Sequence, residues 1–378
     1  MDVMSTTERS QEVDIIRMAA LFGICIVNVP FMALSAEAVL TPPGNSPDRI
    51  AAFFVESFFQ LKFFILFSFI FGWGMAIQAK APASPDHSFA KRYFRRMAGL
   101  AMLGAAHALL VFSGDILILY ALLGTLLWLI KDFPPKKLML VCAWMLPLSM
   151  LCLTALGALF ELAQANGAFA AAPGTAQLGG NFLEATVTRL GEWPGTMLVL
   201  LLLQGPMAFG AFAAGLAAAK ADFFSHGSPG FERLRPRWPA LLLIALPLNF
   251  LYAAVVGGMV AEHNKLLAWA GFVLVAIGAP ALSLLYLLLL IQAARLVKIP
   301  RILVLAGRNS LSSYVAQGIL AGFVFGSYGL GLFGKVGHAA LIVIALLIAL
   351  LAMLSVGLYA TAMGRGPLEP ILRKLSGN

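Results

Sequence analysis

The chain has 378 residues, of which 61% are apolar and 11% charged, with a formal net charge of +9. An ordinary soluble domain carries roughly 25% charged and 45–50% apolar residues, so a soluble globular enzyme is excluded, as are a disordered and a disulfide-stapled chain. At about 20 residues per bilayer crossing, the composition predicts an all-α, polytopic integral membrane protein of about ten transmembrane helices.

Residues 1–14 are polar and contain acids, with no basic stretch ahead of a short apolar core. They are read as a cytoplasmic tail rather than a cleavable signal peptide, and the first apolar segment as a retained anchor. Apolar runs between polar or Pro/Gly breaks place the spans at 15–36, 52–78, 93–113, 115–131, 138–162, 195–219, 238–259, 266–294, 308–329 and 338–362. The alternating ten-residue segments of a barrel are not found. Cys25, Cys142 and Cys152 lie inside apolar runs and predict neither a disulfide nor a metal site; no other metal site is expected. Two connections are long. The outer segment 163–194 ends in NFLEATVTRLGEW, which could lie as a short amphipathic helix on the surface, and the basic stretch 220–237 could divide the chain into five-helix halves. The ends of the second and sixth spans, FGWGMAIQAK and FGAFAAGLAAAK, look alike. An internal repeat and plain Gly/Ala-rich helix packing both account for this.

This arrangement puts 21 of the 26 Lys and Arg residues on the side that holds both termini. The opposite side keeps Arg49, Lys62, Arg189, Lys265 and Lys335. Basic residues concentrate on the cytoplasmic side of inner-membrane proteins, so both termini are expected there. The basic pI thus follows from topology, and nucleic acid is not an expected partner.

The informative side chains are the polar ones at membrane depth, where each costs several kcal/mol unless paired or hydrated. In the first span Asp14 and Arg17 stand three residues apart and can pair, and Asn28 falls roughly 16 Å deeper at ~1.5 Å per residue. The second span carries Glu56, Gln60 and Lys62; Lys62 either snorkels to the interface or points into a polar cavity. The segment HALLVFSGDILILY brings together His107, Ser113, Asp115 and Tyr120. A histidine in an apolar run can take and give a proton near neutral pH; a packing histidine beside an Asp115 helix cap is the plainer reading. In GRNSLSSYVAQG, Ser310, Ser313, Tyr314 and Gln317 share one helical face, with Arg308 at its start. Glu369 and Arg373, four apart, are placed to pair on a terminal helix. If these ends meet Asp14 and Arg17, the basic face holds an arginine site for phosphates; topology alone also explains the arginines. A Walker loop, HExxH, CxxC and GxSxG are all missing, which disfavours an ATP-driven pump, a zinc protease and a Ser-elbow lipase.

The segments VDIIRMAALFGICIVNV, KFFILFSFIFGWG, HALLVFSGDILILYALLG, GRNSLSSYVAQG with GLGLFG, and GPLEPILRKL together resemble the YeiB-like family of bacterial inner-membrane proteins. The C-terminal region of that family, here 230–375, is catalogued as domain of unknown function 418. The opening VDIIRMAALFGICIVN is also similar to the start of the membrane core of heparan-α-glucosaminide N-acetyltransferase and related transmembrane acyltransferases. That resemblance implies acyl transfer from cytoplasmic acyl-coenzyme A to an acceptor on the far side, with Asn28 matching the first-span asparagine. The histidine that follows in those proteins has no counterpart between Asn28 and Lys62, where Glu37 is the nearest ionisable residue. His107 with Asp115, or Glu37, would then supply the base. Arg17, Arg308 and Arg373 would bind coenzyme A phosphates; Asn28, Lys62 and Tyr120 would polarise the thioester; Ser310, Tyr314 and Gln317 would line the substrate site. Acyl-coenzyme A is then a co-substrate and no resident cofactor is expected. The expected partners are the lipid bilayer, a small-molecule or glycan acceptor and, as an option, a second copy of the chain. The competing functions are a secondary transporter using Asp115, His107 and Lys62, and a non-catalytic membrane partner.

Overall fold

The structure is a computed structural model and describes residues 11–80, 88–166, 180–260 and 264–376. Among them every regular element is a helix: α1 (Gln11–Ala33), α2 (Ala36–Leu40), α3 (Ser46–Phe58), α4 (Lys62–Lys80), α5 (Phe89–Leu110), α6 (Leu117–Leu127), α7 (Pro135–Ala165), α8 (Phe182–Lys220), α9 (Pro229–Leu234), α10 (Trp238–Val256), α11 (Lys265–Leu296), α12 (Arg301–Arg308), α13 (Ser310–Phe325), α14 (His338–Met363) and α15 (Leu368–Ser376). Among the described residues seven helical segments are long and apolar enough to cross a membrane: 11–33, 46–80, 135–165, 182–220, 229–256, 265–296 and 338–363. With no water to satisfy the backbone in lipid, a helix is the form these runs must take, and the chain is a multi-pass membrane protein. Each of the ten expected spans contains a helix, but three fall short of that criterion for physical reasons. α5 opens with Lys91, Arg92, Arg95 and Arg96, while α6 and α13 are short apolar helices packed among longer ones.

α1 is the central element, packed against α4, α11, α12, α13 and α14. Around it the small residues decide how closely helices approach. A side chain on Gly72 would meet the backbone of Phe212, and one on Gly215 the carbonyl of Phe69. The two look-alike segments therefore face each other in the α4–α8 contact, which is the packing use of Gly-rich stretches in membranes.

Two expectations need correction. The second span is not one helix. It breaks at 59–61, where Leu61 adopts a left-handed φ of 68°, a conformation that costs a branched residue about 1–2 kcal/mol. The break is held because its polar groups are answered: the Lys62 Nζ donates to the Glu56 carbonyl at 2.7 Å, Tyr286 donates to the Phe58 carbonyl at 3.0 Å, and Ser283 donates to the Lys62 carbonyl at 2.9 Å. Likewise 182–194 is not a separate surface helix but the first third of α8. An Asn181–Glu184 capping box starts α8, which at ~1.5 Å per residue runs ~58 Å, well past a ~30 Å hydrocarbon core. The part of the long connection at 167–179 lies outside the described residues, as does most of the expected 1–14 tail.

Side-chain bonds tie the basic helix ends into one face. Arg295 reaches Glu12 at 3.4 Å and the Phe224 carbonyl at 3.2 Å, and Lys220 donates to the carbonyls of Lys131 and Phe133. Arg95 donates to the Leu375 carbonyl. At the opposite face Asp48 accepts from the Ala339 amide, and Arg189 donates to the carbonyls of Leu109 and Leu110 at the end of α5. A guanidinium there complements the carbonyl end of the helix.

Candidate functional site: two cavities meeting at a buried triad

His107 sits one turn from the end of α5, and a tight turn returns the chain so that Asp115 stands beside it. The His107 Nδ1 and Asp115 Oδ1 are 2.9 Å apart, both fully enclosed. The other carboxyl oxygen accepts the amide of Leu117 at 2.9 Å. Asp115 is thus both the helix-start acceptor and the partner of the histidine. From a third helix Tyr314 donates its hydroxyl to Asp115 Oδ1 at 3.0 Å. An ionised carboxylate only accepts, so the His107 Nδ1 carries a proton, and in the neutral imidazole Nε2 is then the acceptor. That Nε2 is buried and has no hydrogen-bond partner among the described residues. It faces Gly318, where a side chain would run into the imidazole, and opens on a small cavity of about 20 Å³ shared with Asn28 and Gln317.

Two larger cavities flank this triad. The first, about 430 Å³, opens at the basic face and is lined by Arg17, Arg92, Arg96, Arg308, Arg365 and Arg373, with Glu369 as the one carboxylate among the described lining residues. Close helix contacts assemble it. Gly307 lets α12 cross α1 at Asp14, which sets Arg308 beside Arg17, and Gly99 lets α5 meet Leu372 of α15. Arg17 also bonds Asp14 at 3.1 Å, as expected. The second cavity, about 250 Å³, lies toward the opposite face, and its lining among the described residues includes Asn28, Gln60, Ser113, Thr196 and Gln204 beside phenylalanines but no Asp, Glu, Lys, Arg or His. Three side chains line both cavities: Ile24, Ile116 and Tyr314.

The expected residues therefore divide. Arg17, Arg308, Arg373, Ser310, Tyr120 and Tyr314 line the basic cavity, and Asn28 the far one. Gln317 donates instead to the Leu21 carbonyl, and Ser313 to that of Ala306. Tyr120 gives its proton to the Phe64 carbonyl at 3.0 Å and accepts from Ser68 at 2.6 Å, so its hydroxyl has no donor left for a thioester. Lys62 does not snorkel and lines none of these three cavities; it is fully buried on the Glu56 carbonyl, 5.8 Å from the Tyr252 ring centre. Glu37 is exposed near the far face and is not brought to His107. Glu369 does not pair with Arg373 but accepts from the amide and hydroxyl of Ser312, docking α15 on α13. The Leu368 amide donates to the Ser312 hydroxyl at 2.9 Å. Sequence reasoning missed Arg92, Arg96 and Arg365 as cavity residues, since basic helix ends read as topology.

Residues 218–377 match the family model described as protein of unknown function (DUF418). The chain is 28% identical over 400 residues to the uncharacterized protein YxaH of Bacillus subtilis (strain 168), covering 97% of this chain and 94% of that protein. It is 32% identical over 136 residues to the uncharacterized protein YeiB of Escherichia coli (strain K12), covering 34% of this chain and 33% of that protein. An uncharacterized 39.9 kDa protein of Bacillus acidopullulyticus is 32% identical over 127 residues, or 34% of this chain and 35% of that one. These matches support a YeiB-like DUF418 relationship, carried by the family model over residues 218–377 and by the full-length similarity to YxaH. No solved structure matches the chain.

Proposed function

We propose that this chain is a bacterial inner-membrane acyl-transfer protein, with its basic face and both ends in the cytoplasm. The observation that carries the reading is the meeting of an arginine-lined cavity and an uncharged cavity at a carboxylate–histidine–tyrosine cluster. Six arginines line one cavity, Arg17 in a pair with Asp14, and planar Arg donors match phosphate oxygens, so a ligand with several negative charges suits this lining. Acyl-coenzyme A supplies both the phosphates and an arm long enough to carry a thioester toward the triad. Arg17, Arg308 and Arg373 hold the phosphates, joined by Arg92, Arg96 and Arg365.

At the triad, Asp115 fixes the imidazole with Nε2 as acceptor, and an acceptor hydroxyl or amine enters from the far cavity past Asn28. The small cavity has room for one water, through which Nε2 can take the proton. The acceptor oxygen or nitrogen bonds to the acyl carbon, the carbon–sulfur bond breaks, and the proton held by His107 passes to the leaving thiolate. The products are an acylated acceptor and coenzyme A, with no oxidant or reductant needed. A general base of this kind contributes about 10²–10⁴ in rate. The test is release of coenzyme A thiol from acetyl-coenzyme A by purified protein, compared with His107→Ala and Arg17→Ala. Turnover that falls in both variants supports the reading, and no thiol release above the variants' level argues against it.

A secondary transporter is the second reading, favoured by the cavities on two faces and by the broken helix at 59–61, a device of transporters. It would have used Lys62 together with the pair, yet Lys62 is spent on the Glu56 carbonyl. A flux into proteoliposomes driven by a pH gradient and lost in Asp115→Asn would select it.

A further inference from the structure

Tyr314 is the one residue that lines the basic cavity, the far cavity and the small cavity beyond His107. Its ring is buried, and its centre lies 5.1 Å from that of His107. The hydroxyl is held by the bond to Asp115 at 3.0 Å. The other two shared side chains, Ile24 and Ile116, are aliphatic and make no polar bond that would fix the partition. One turn along α13, Gly318 offers no side chain, and the void of about 20 Å³ lies beside the ring. The ring therefore stands between two spaces, latched at its tip, with an unfilled volume next to it.

We propose that Tyr314 is a gate: latched on Asp115 it separates the two cavities, and released it joins them into one passage through the membrane-buried core. This deepens the acyl-transfer reading, because a thioester arm bound at the arginines meets an acceptor on the far side only when the partition opens. The latch also links the opening to the chemistry, since the carboxylate that holds the tyrosine is the one that orients the base. Closed, the gate keeps far-side water away from the donor; open, it leaves Asp115 to His107 and the Leu117 amide alone.

The gate is tested without any acyl donor, so its failure and that of the acyl-transfer reading are separable. The reporter is Ser113→Cys, which lines the far cavity, in a chain with Cys142→Ala and Cys152→Ala. Inverted membrane vesicles loaded with glutathione receive a charged, membrane-impermeant methanethiosulfonate from the basic face. Gln78→Cys in the basic cavity serves as the control that the reagent enters, and right-side-out vesicles show that Ser113→Cys can react. A gate open in about 0.1–10% of molecules makes labelling from the basic face about tenfold or more slower than from the far face. Tyr314→Ala brings the two rates within a few-fold of each other. Tyr314→Phe, which keeps the ring and removes only the latch, raises the slow rate several-fold and guards against a folding defect in the alanine variant. Equal labelling from both faces with Tyr314 intact overturns the proposal, as does a slow rate that neither variant raises while Gln78→Cys still labels.

Discussion

His107 and Asp115 face each other at 2.9 Å across the turn between α5 and α6, and neither side chain reaches solvent. Because the carboxylate also takes the Tyr314 hydroxyl and the Leu117 amide, the imidazole has one allowed tautomer. Asp115→Asn keeps the shape of the turn but offers an amide that can donate to Nδ1, which would move the ring proton to Nε2. Thiol release from acetyl-coenzyme A is expected to fall about 10²–10⁴-fold, with a small change in melting temperature. Parallel kinetics and thermal melts check this.

Lys62 is a structural hydrogen-bond donor, its Nζ holding the Glu56 carbonyl. Lys62→Met leaves the Glu56 carbonyl and the end of α3 without their donor and is expected to destabilise by about 1–3 kcal/mol. Acyl-coenzyme A affinity of the folded fraction stays unchanged. A variant with wild-type stability and lost flux or turnover would instead place Lys62 at the working site.

The C-terminal helix α15 carries Arg373 and is docked through Glu369 on Ser312 and through the Gly366 amide on Asn309 Oδ1 at 2.8 Å. Glu369→Gln weakens a charge-assisted contact of about 1.5–3 kcal/mol. Residues 368–376 should then exchange amide hydrogens faster, and ligand affinity should drop without a change in the rest of the bundle. Hydrogen–deuterium exchange with and without coenzyme A measures both.

Glu37 is exposed and lines none of the three cavities. Glu37→Gln is expected to leave turnover and its pH profile within twofold of wild type, about 0.4 kcal/mol at 1.4 kcal/mol per tenfold. A large loss would revive it as the base and move the chemistry away from His107.

The helical form of the apolar runs was legible in the sequence, because a backbone in lipid has no other partner for its polar groups. The His107–Asp115 pair was legible too, since eight residues and one turn separate them. The Tyr314 bond to Asp115 joins positions 199 apart, and no local pattern encodes such a contact. The break at Leu61 was hidden because QLK contains no Gly or Pro. It is sustained by Ser283 and Tyr286 from α11, whose hydroxyls read as ordinary helix residues. The arginines at 92, 96 and 365 carried a sufficient topological explanation; the crossings at Gly99 and Gly307 and the Gly366 bond to Asn309 bring these segments and Arg308 to one cavity.

The most direct measurement is equilibrium binding of radiolabelled acetyl-coenzyme A to the purified protein, beside an Arg308→Gln, Arg373→Gln double variant of equal thermal stability. Binding is expected to be saturable, competed by free coenzyme A, weakened as salt screens the arginines, and lost or at least about tenfold weaker in the double variant, the ~1.4 kcal/mol that a tenfold change represents. Absence of saturable binding at high micromolar ligand, or equal binding by the double variant, would contradict the acyl-transfer reading.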